Sequence, residues 1–180
     1  MSITLTATPV LETERLTLRA PQAGDWPAYR DFALTERARF VRAPDFDEER
    51  AWRAFAAMIG HWVLRGWGSF VFTRKGEARA LGMVGPWFPQ GWPEREILWM
   101  AWDTDCEGKG YVAEAVAATL DHVFGTLGWD TAVSYIDPQN ARSIRLAERL
   151  GAVANPDAPT SRLVESPDLV TYRHPARRPA

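Results

Sequence analysis

Glu96-Ile-Leu-Trp-Met-Ala-Trp-Asp-Thr-Asp-Cys-Glu-Gly-Lys-Gly-Tyr-Val-Ala-Glu-Ala115 runs from an apolar stretch through a glycine loop into a helical pattern. Its first seven residues, Glu96 to Trp102, form an apolar and aromatic run that reads as a buried strand. A short polar loop follows, then Gly108-Lys109-Gly110, then a helix. A strand that feeds a glycine loop at a helix N-terminus can hold phosphate. The first-turn N–H groups lack intrahelical partners, and the helix dipole favours an anion there. Glycine lets the backbone approach a ligand with no Cβ in the way. The loop is not a Walker loop, because the longer spacing and the Lys-Ser/Thr pair are missing. It is not a dinucleotide fingerprint, because there is no Gly-x-Gly-x-x-Gly. On its own it reads equally as a simple turn.

Working outward, Tyr111 to Leu127 reads as a helix with Val112, Val116, Thr119, Leu120, Val123 and Phe124 on one face. Thr131 to Ile136 reads as a strand. Ala141 to Leu150 reads as a helix with Asn140 at its N-cap and Gly151 after its end, residues those positions favour. Leu169 to His174 is a last strand. On the N-terminal side, Arg15 to Arg19 alternates like a half-buried strand. Asp25 is placed to cap a helix through Tyr29, Phe32 and Leu34. Asp47 to Leu64 is an amphipathic helix that stops at Gly66. Gly68 to Arg74 and Ala80 to Val84 form a hairpin about the turn Lys75-Gly76-Glu77, and Pro86 to Pro93 is a loop. The order predicts a mixed α/β (α+β) sheet with one parallel crossover near the glycine loop. It predicts one domain over residues 1–180, with its core at about 10–174 and a loose tail from Pro175 to Ala180.

The 180 residues suffice for one real core, and 46% hydrophobic with 24% charged residues is an ordinary globular balance. A net charge of −2 gives no broad basic field for nucleic acid. Met1 to Leu11 has no basic start and no long apolar run, so it does not read as a signal peptide. No segment approaches the roughly 20 apolar residues that span a bilayer. Cys106 is the only cysteine, which excludes internal disulfides and fits a reducing, cytoplasmic setting. His61, His122 and His174 show no ligand spacing, so no metal is expected. Cys106 lies one residue before the loop, where a helix N-terminus can lower a thiol pKa; a bystander role is the plainer alternative.

The second informative element is Asn140-Ala-Arg-Ser-Ile-Arg-Leu-Ala-Glu-Arg-Leu-Gly-Ala152. In the plain reading Asn140 caps the helix by accepting the Ser143 N–H. In the sharper one Asn140 and Ser143 face a ligand. Taken together, the strand, the Gly-x-Gly loop, its helix, the next strand and this Asn-x-x-Ser element resemble the GNAT N-acetyltransferases. The resemblance is closest to the RimJ/RimL-like branch of ribosomal-protein N-terminal acetyltransferases. Leu11-Glu-Thr-Glu-Arg-Leu-Thr-Leu-Arg19 and Gly91-Trp-Pro-Glu-Arg-Glu96 match that branch as well, so the likeness covers about residues 10–174.

The resemblance implies the GNAT fold: a central mixed, mostly antiparallel twisted sheet flanked by helices. It implies an acyltransferase that moves acetyl from acetyl-CoA to a primary amine by direct attack in a ternary complex, without a metal. The amine would belong to a protein N-terminus or a small molecule. The loop residues Glu107, Gly108, Lys109, Gly110, Tyr111 and Val112 would hold the CoA diphosphate. The backbone of Trp99, Met100, Ala101 and Trp102 would pair with the pantetheine arm. Glu96 would be the general base, with Glu94 as runner-up. Ser143, where many members have a Tyr one turn later and this chain has Ala147, would donate to the thiolate, with Asn140 orienting the region. Arg142 and Arg145 would be a solvated face or lie near CoA phosphates. Trp67, Trp87 and Trp92, with Trp62, would wall the acceptor site and favour an apolar acceptor.

Two positions depart from the family pattern. Glu107 stands where Gln or Arg is common, and a carboxylate there repels a diphosphate unless it points to solvent. Val112 stands where Gly or Ala is common and narrows one backbone approach. These departures motivate an alternative, a catalytically silent CoA-binding or partner-binding module. Edge strands and exposed tryptophans also leave a homodimer open. No nucleic-acid or membrane partner is expected.

Overall fold

The computed structural model describes residues 4–160 and 169–176. The last four residues of the expected loose tail, 177–180, lie outside it.

Among the described residues eight strands form one sheet: β1 (Leu11–Glu12), β2 (Leu16–Arg19), β3 (Phe70–Arg74), β4 (Gly82–Trp87), β5 (Glu96–Ala101), β6 (Ala132–Ile136), β7 (Val153–Asn155) and β8 (Val170–His174). Their spatial order is β1-β2-β3-β4-β5-β6-β8-β7. Every neighbouring pair is antiparallel except β5 and β6, which are parallel. That exception follows from the crossover. Helix α3 (Tyr111–Gly125) carries the chain from the end of β5 back to the start of β6. The mixed, mostly antiparallel sheet expected from the element order is therefore the one observed.

The strands bury both faces, so successive residues reach opposite layers. Phe70, Phe72, Val84 and Ile97 pack with Val116, Leu120 and Val123 of α3. Val71, Met83 and Met100 pack on the other side with residues of two N-terminal helices, α1 (Trp26–Ala33) and α2 (Glu48–Arg65). Helix α2 follows the expected pattern: Ala51, Phe55, Met58 and Trp62 are its buried stripe, and Gly66 ends it in the left-handed region. Asp47 caps it by accepting the Arg50 N–H at 2.8 Å. The Gly82–Trp87 strand starts and ends later than Ala80–Val84, and Pro86 lies within it rather than opening a loop.

Asp25 does not cap α1. Its carboxylate accepts two hydrogen bonds from Arg19 at 2.8 Å each and one from the Gln22 N–H at 2.9 Å. At 2% exposure it needs that forked charge partner more than a helix N–H. The last helix, α4 (Ala141–Arg149), starts as expected: Asn140 Oδ1 accepts the Ser143 N–H at 3.2 Å. Among the described residues no helix is long and apolar enough to cross a membrane.

Candidate active site

The site begins where two strands part. β5 and β6 share one register pair, Glu96 with Val133. The Val133 N–H donates to the Arg95 carbonyl at 3.0 Å, and the Ser134 hydroxyl donates to the Ile97 carbonyl at 2.6 Å. Beyond that point, among the described residues, β5 has a sheet partner only on its β4 side. The gap opens into two adjoining cavities. One, of about 800 Å³, lies against the glycine loop and α4. The other, of about 490 Å³, lies against α2 and the start of β5. Phe40, Val41, Trp99, Met100, Asn140 and Ser143 line both and form the junction between them.

The larger cavity has the chemistry of an anion site. Gly108 and Gly110 adopt φ of +72° and +77°, and a Cβ added at Gly108 would meet nothing within 4 Å. The loop therefore presents bare backbone to open space, with the unpaired first-turn amides of α3 behind it. Arg37, Arg39, Arg142, Arg145 and Arg149 line this cavity, and Glu107 is its only carboxylate among the described residues. Five guanidinium groups facing one acid suit a ligand with several phosphates.

Glu107 is neither a solvent-pointing bystander nor an unbalanced charge. Its Oε1 accepts from Arg37 Nη2 at 2.8 Å, and its Oε2 accepts from Arg142 Nη1 at 2.7 Å. Arg37, and then Arg142, hold its carboxyl below the usual carboxylate range. Val112 lines the cavity wall. Lys109 and Tyr111 do not reach the cavity. Lys109 is exposed, and the Tyr111 ring lies under the Arg15 guanidinium, 4.6 Å from its centroid.

The strand stretch expected to face the cofactor is shorter than Trp99 to Trp102. The Trp102 N–H donates to the Leu81 carbonyl at 2.9 Å, and its carbonyl accepts from Arg37 at 2.7 Å. A second Arg37 nitrogen donates to the Ala101 carbonyl at 3.0 Å. The Trp102 side chain is buried against Tyr29. Trp102 thus belongs to the core, the Ala101 carbonyl is already taken, and Trp99 and Met100 are the strand residues left at the junction.

The two candidate catalytic residues meet at the smaller cavity. Glu96 is part-buried at its wall, and its Oε2 accepts from the Trp92 indole at 2.7 Å. Burial pushes the carboxyl up to about 7, against the opposing hydrogen bonds from the Trp92 indole and the Tyr135 backbone. Glu94 is held elsewhere, by two Arg173 nitrogens at 2.8 and 2.9 Å, and lines neither cavity. At the junction, Ser143 Oγ accepts the Trp99 indole N–H at 3.1 Å, which leaves the hydroxyl proton free to donate. Asn140 and Ser143 form the cap of α4, and both also line the two cavities.

Trp87 and Trp92 line the smaller cavity. Trp62 and Trp67 do not. Trp62 is in the core, with its indole donating to the Ser69 carbonyl at 3.0 Å, and Trp67 packs edge-on against Trp129. Between Trp87 and Trp67, His61 is a structural residue. Its two ring nitrogens bond the Trp67 carbonyl and the Phe88 N–H, and burial lowers its pKa. Burial pushes the Cys106 thiol up to about 11, with Asp103 adding to the rise, so Cys106 is not an activated nucleophile. No group of three or more His, Cys, Asp or Glu side chains among the described residues is arranged to hold a metal.

Arg37, Arg39, Phe40 and Val41 went unread in the sequence. The available signal was Arg37-Ala-Arg39-Phe-Val-Arg42, three arginines in six residues with no acid among them.

The profile of the Acetyltransferase (GNAT) domain matches residues 15–153. The chain is 36% identical to an acetyltransferase from Agrobacterium tumefaciens strain C58, covering 97% of this chain and 98% of that one with a TM-score of 0.85. It shares its fold with the ribosomal-protein-S5-alanine acetyltransferase of Vibrio fischeri at 17% identity, covering 96% of this chain and 100% of that one with a TM-score of 0.71. A ribosomal L7/L12 alpha-N-protein acetyltransferase in complex with coenzyme A also has this fold, at 15% identity, covering 93% and 98% with a TM-score of 0.69. No curated protein sequence matches the chain.

Proposed function

From the premise that this chain belongs to the GNAT acetyltransferases, and so is an acyltransferase, we propose that it transfers acetyl from acetyl-CoA to a primary amine by direct attack. The observation that supports this most is the junction. One hydroxyl with a free proton, Ser143, lies where an arginine-lined cavity meets a cavity holding a raised carboxylate, Glu96.

The residues present fit CoA. The arginine cavity and the bare Gly108 backbone suit its phosphates, and the open edge of β5 at Trp99 and Met100 suits an extended amide-bearing arm. Bound there, acetyl-CoA supplies an acetyl group activated as a thioester. The remaining chemistry belongs to this chain. Glu96, poised near neutrality, accepts the proton that an ammonium must lose before its nitrogen can attack. Ser143 keeps its hydroxyl proton available because the Trp99 indole donates to its oxygen, and that proton covers negative charge developing at the junction. Trp87 and Trp92 exclude water around the amine and favour an acceptor with apolar surface next to it.

The acceptor is then a protein N-terminus, as the ribosomal-protein acetyltransferases of this fold suggest, or a small amine. Release of free thiol from acetyl-CoA across a panel of amines tests the proposal. Turnover of at least one apolar primary amine is expected, with loss of turnover in Ser143→Ala. Equal turnover of purely polar polyamines would contradict the apolar acceptor, and CoA binding with no amine turned over would contradict acetyl transfer by this site.

A further inference from the structure

The charges of the smaller cavity narrow the acceptor further, resting on the proposal that this cavity receives it. Arg42, Arg50 and Arg53 line it beside two carboxylates, Glu96 and Asp137. Four of these five charges are accounted for. Arg50 pairs with Asp45, and Arg53 pairs with Glu49. Asp137 accepts the Gln139 N–H at 2.8 Å, closing the turn before α4. Glu96 is held by Trp92 and is the proposed base.

Arg42 differs. Among the described residues it has no carboxylate partner. Its guanidinium donates only to backbone carbonyls: Nη1 to Ala43 at 3.0 Å and Pro44 at 3.3 Å, and Nη2 to Thr35 at 3.2 Å. Its Nε is buried and unpartnered. Of five N–H donors, three are engaged and the Nε–H is shut away from the cavity, which leaves one Nη2–H for a ligand. A half-buried guanidinium without an anion is an unfavourable arrangement that an anion on a ligand would complete. The carbonyl contacts also fix the fork in place, so little ordering entropy opposes binding.

The acceptor imposes a matching requirement. A primary amine arrives mainly as an ammonium, and the unpaired positive charge of Arg42 disfavours a simple cation beside it. An amine that carries its own carboxylate arrives neutral overall and can place its two ends on opposite charges.

We infer that the natural acceptor is a small amino acid with an apolar side chain, its carboxylate read by Arg42, its amine directed to Glu96 and its side chain lying on Trp87 and Trp92. Arg42 is then a specificity-determining residue of this site.

The test is a thiol-release assay on matched acceptors that differ only in the carboxylate: leucine against isopentylamine, and phenylalanine against phenethylamine. The amino acid of each pair should be favoured by about tenfold or more in kcat/KM, mainly through KM, since a charge-assisted hydrogen bond accounts for that much. Arg42→Met should bring the ratio toward unity, and Arg42→Lys should keep part of it. Affinity for CoA should stay unchanged in both variants. Equal or better turnover of the carboxylate-free partner by the wild-type enzyme overturns the inference and leaves acetyl transfer standing. A preference that survives Arg42→Met overturns the role of Arg42. Turnover of neither member overturns the inference as well, and calorimetry with acetyl-CoA then shows whether the proposed function fails with it. The wild-type ratios and Arg42→Lys decide the matter even if Arg42→Met does not fold.

Discussion

Glu96 occupies the first position of β5, and its surroundings act on it in opposite directions. Burial raises its pKa from an ordinary 4.5 to about 7, while the Trp92 indole and the Tyr135 backbone stabilise the anion. Two pH effects follow. As the base it works deprotonated, so kcat/KM should fall as pH drops through about 7. Glu96→Gln should remove that acidic limb along with most of the activity, and an identical profile would eliminate the base role. The second effect concerns stability. Between 4.5 and about 7 the folded state binds the proton more tightly than the unfolded chain, so stability falls as pH rises through that window. Glu96→Gln should melt like the wild type near the acid end and higher above the window, on the order of 5 °C. Thermal melts across pH check this, and an offset independent of pH would contradict it. At the junction, Ser143→Ala should lower turnover by about a hundredfold while changing CoA affinity by no more than about twofold. Glu107 presents the reverse case. It occupies Arg37 and Arg142 with a charge that opposes a diphosphate, so Glu107→Gln should tighten CoA binding by about fivefold at low salt and by less at high salt. Calorimetry at two ionic strengths measures this, and weaker binding would show that Glu107 is needed to position its arginines.

At the scale of elements, the glycine loop is held from behind by the turn into β2. Glu114 of α3 accepts from Thr13 Oγ1 at 2.6 Å, from the Arg15 N–H at 3.0 Å and from Arg15 Nε at 2.7 Å. Arg15 Nη1 also donates to the Lys109 carbonyl at 3.1 Å, so one side chain ties the loop to the helix that follows it. Arg15→Ala should raise the KM for acetyl-CoA by about tenfold with kcat nearly unchanged, at a cost of about 1 kcal/mol in stability. Initial-rate kinetics and denaturant melts separate the two effects, and a loss confined to kcat would contradict this role. Most elements were legible because each had its own period and end signals. Asn140 and Gly151 bracket α4, and the spacing of Phe55, Met58 and Trp62 marks α2. β1 and β7 were not, since two and three residues are too few to show an alternation. Asp25 was misread because a capping residue and a buried ion-pair partner look alike until Arg19 is seen beside it.

At the scale of the whole molecule, the sheet brings together residues that the chain keeps far apart. Arg37 meets Glu107 across 70 positions and Arg142 meets it across 35. No local pattern announces such pairings, so the loop looked electrostatically unbalanced in the sequence and is balanced in the fold. The same reason separates the tryptophans: Trp87 and Trp92 reach a cavity and Trp67 does not, although all three stand in similar company along the chain. That Glu96, Asn140 and Ser143 line a cavity was legible because a strand start and a helix start fix where side chains point. Arg42 was not, because it stands between a short 3-10 turn and α2, with no periodicity to show which way it faces.

In the function proposed above, the two cavities divide the work, with cofactor in one, acceptor in the other and Ser143 between them. A crystal structure with CoA tests it most directly. The diphosphate is expected over Gly108 to Val112 among the arginines, with the sulfur within about 3.5 Å of Ser143 Oγ and facing the Glu96 cavity. A thiol that points away from Ser143, or a diphosphate bound outside the arginine cavity, would contradict it.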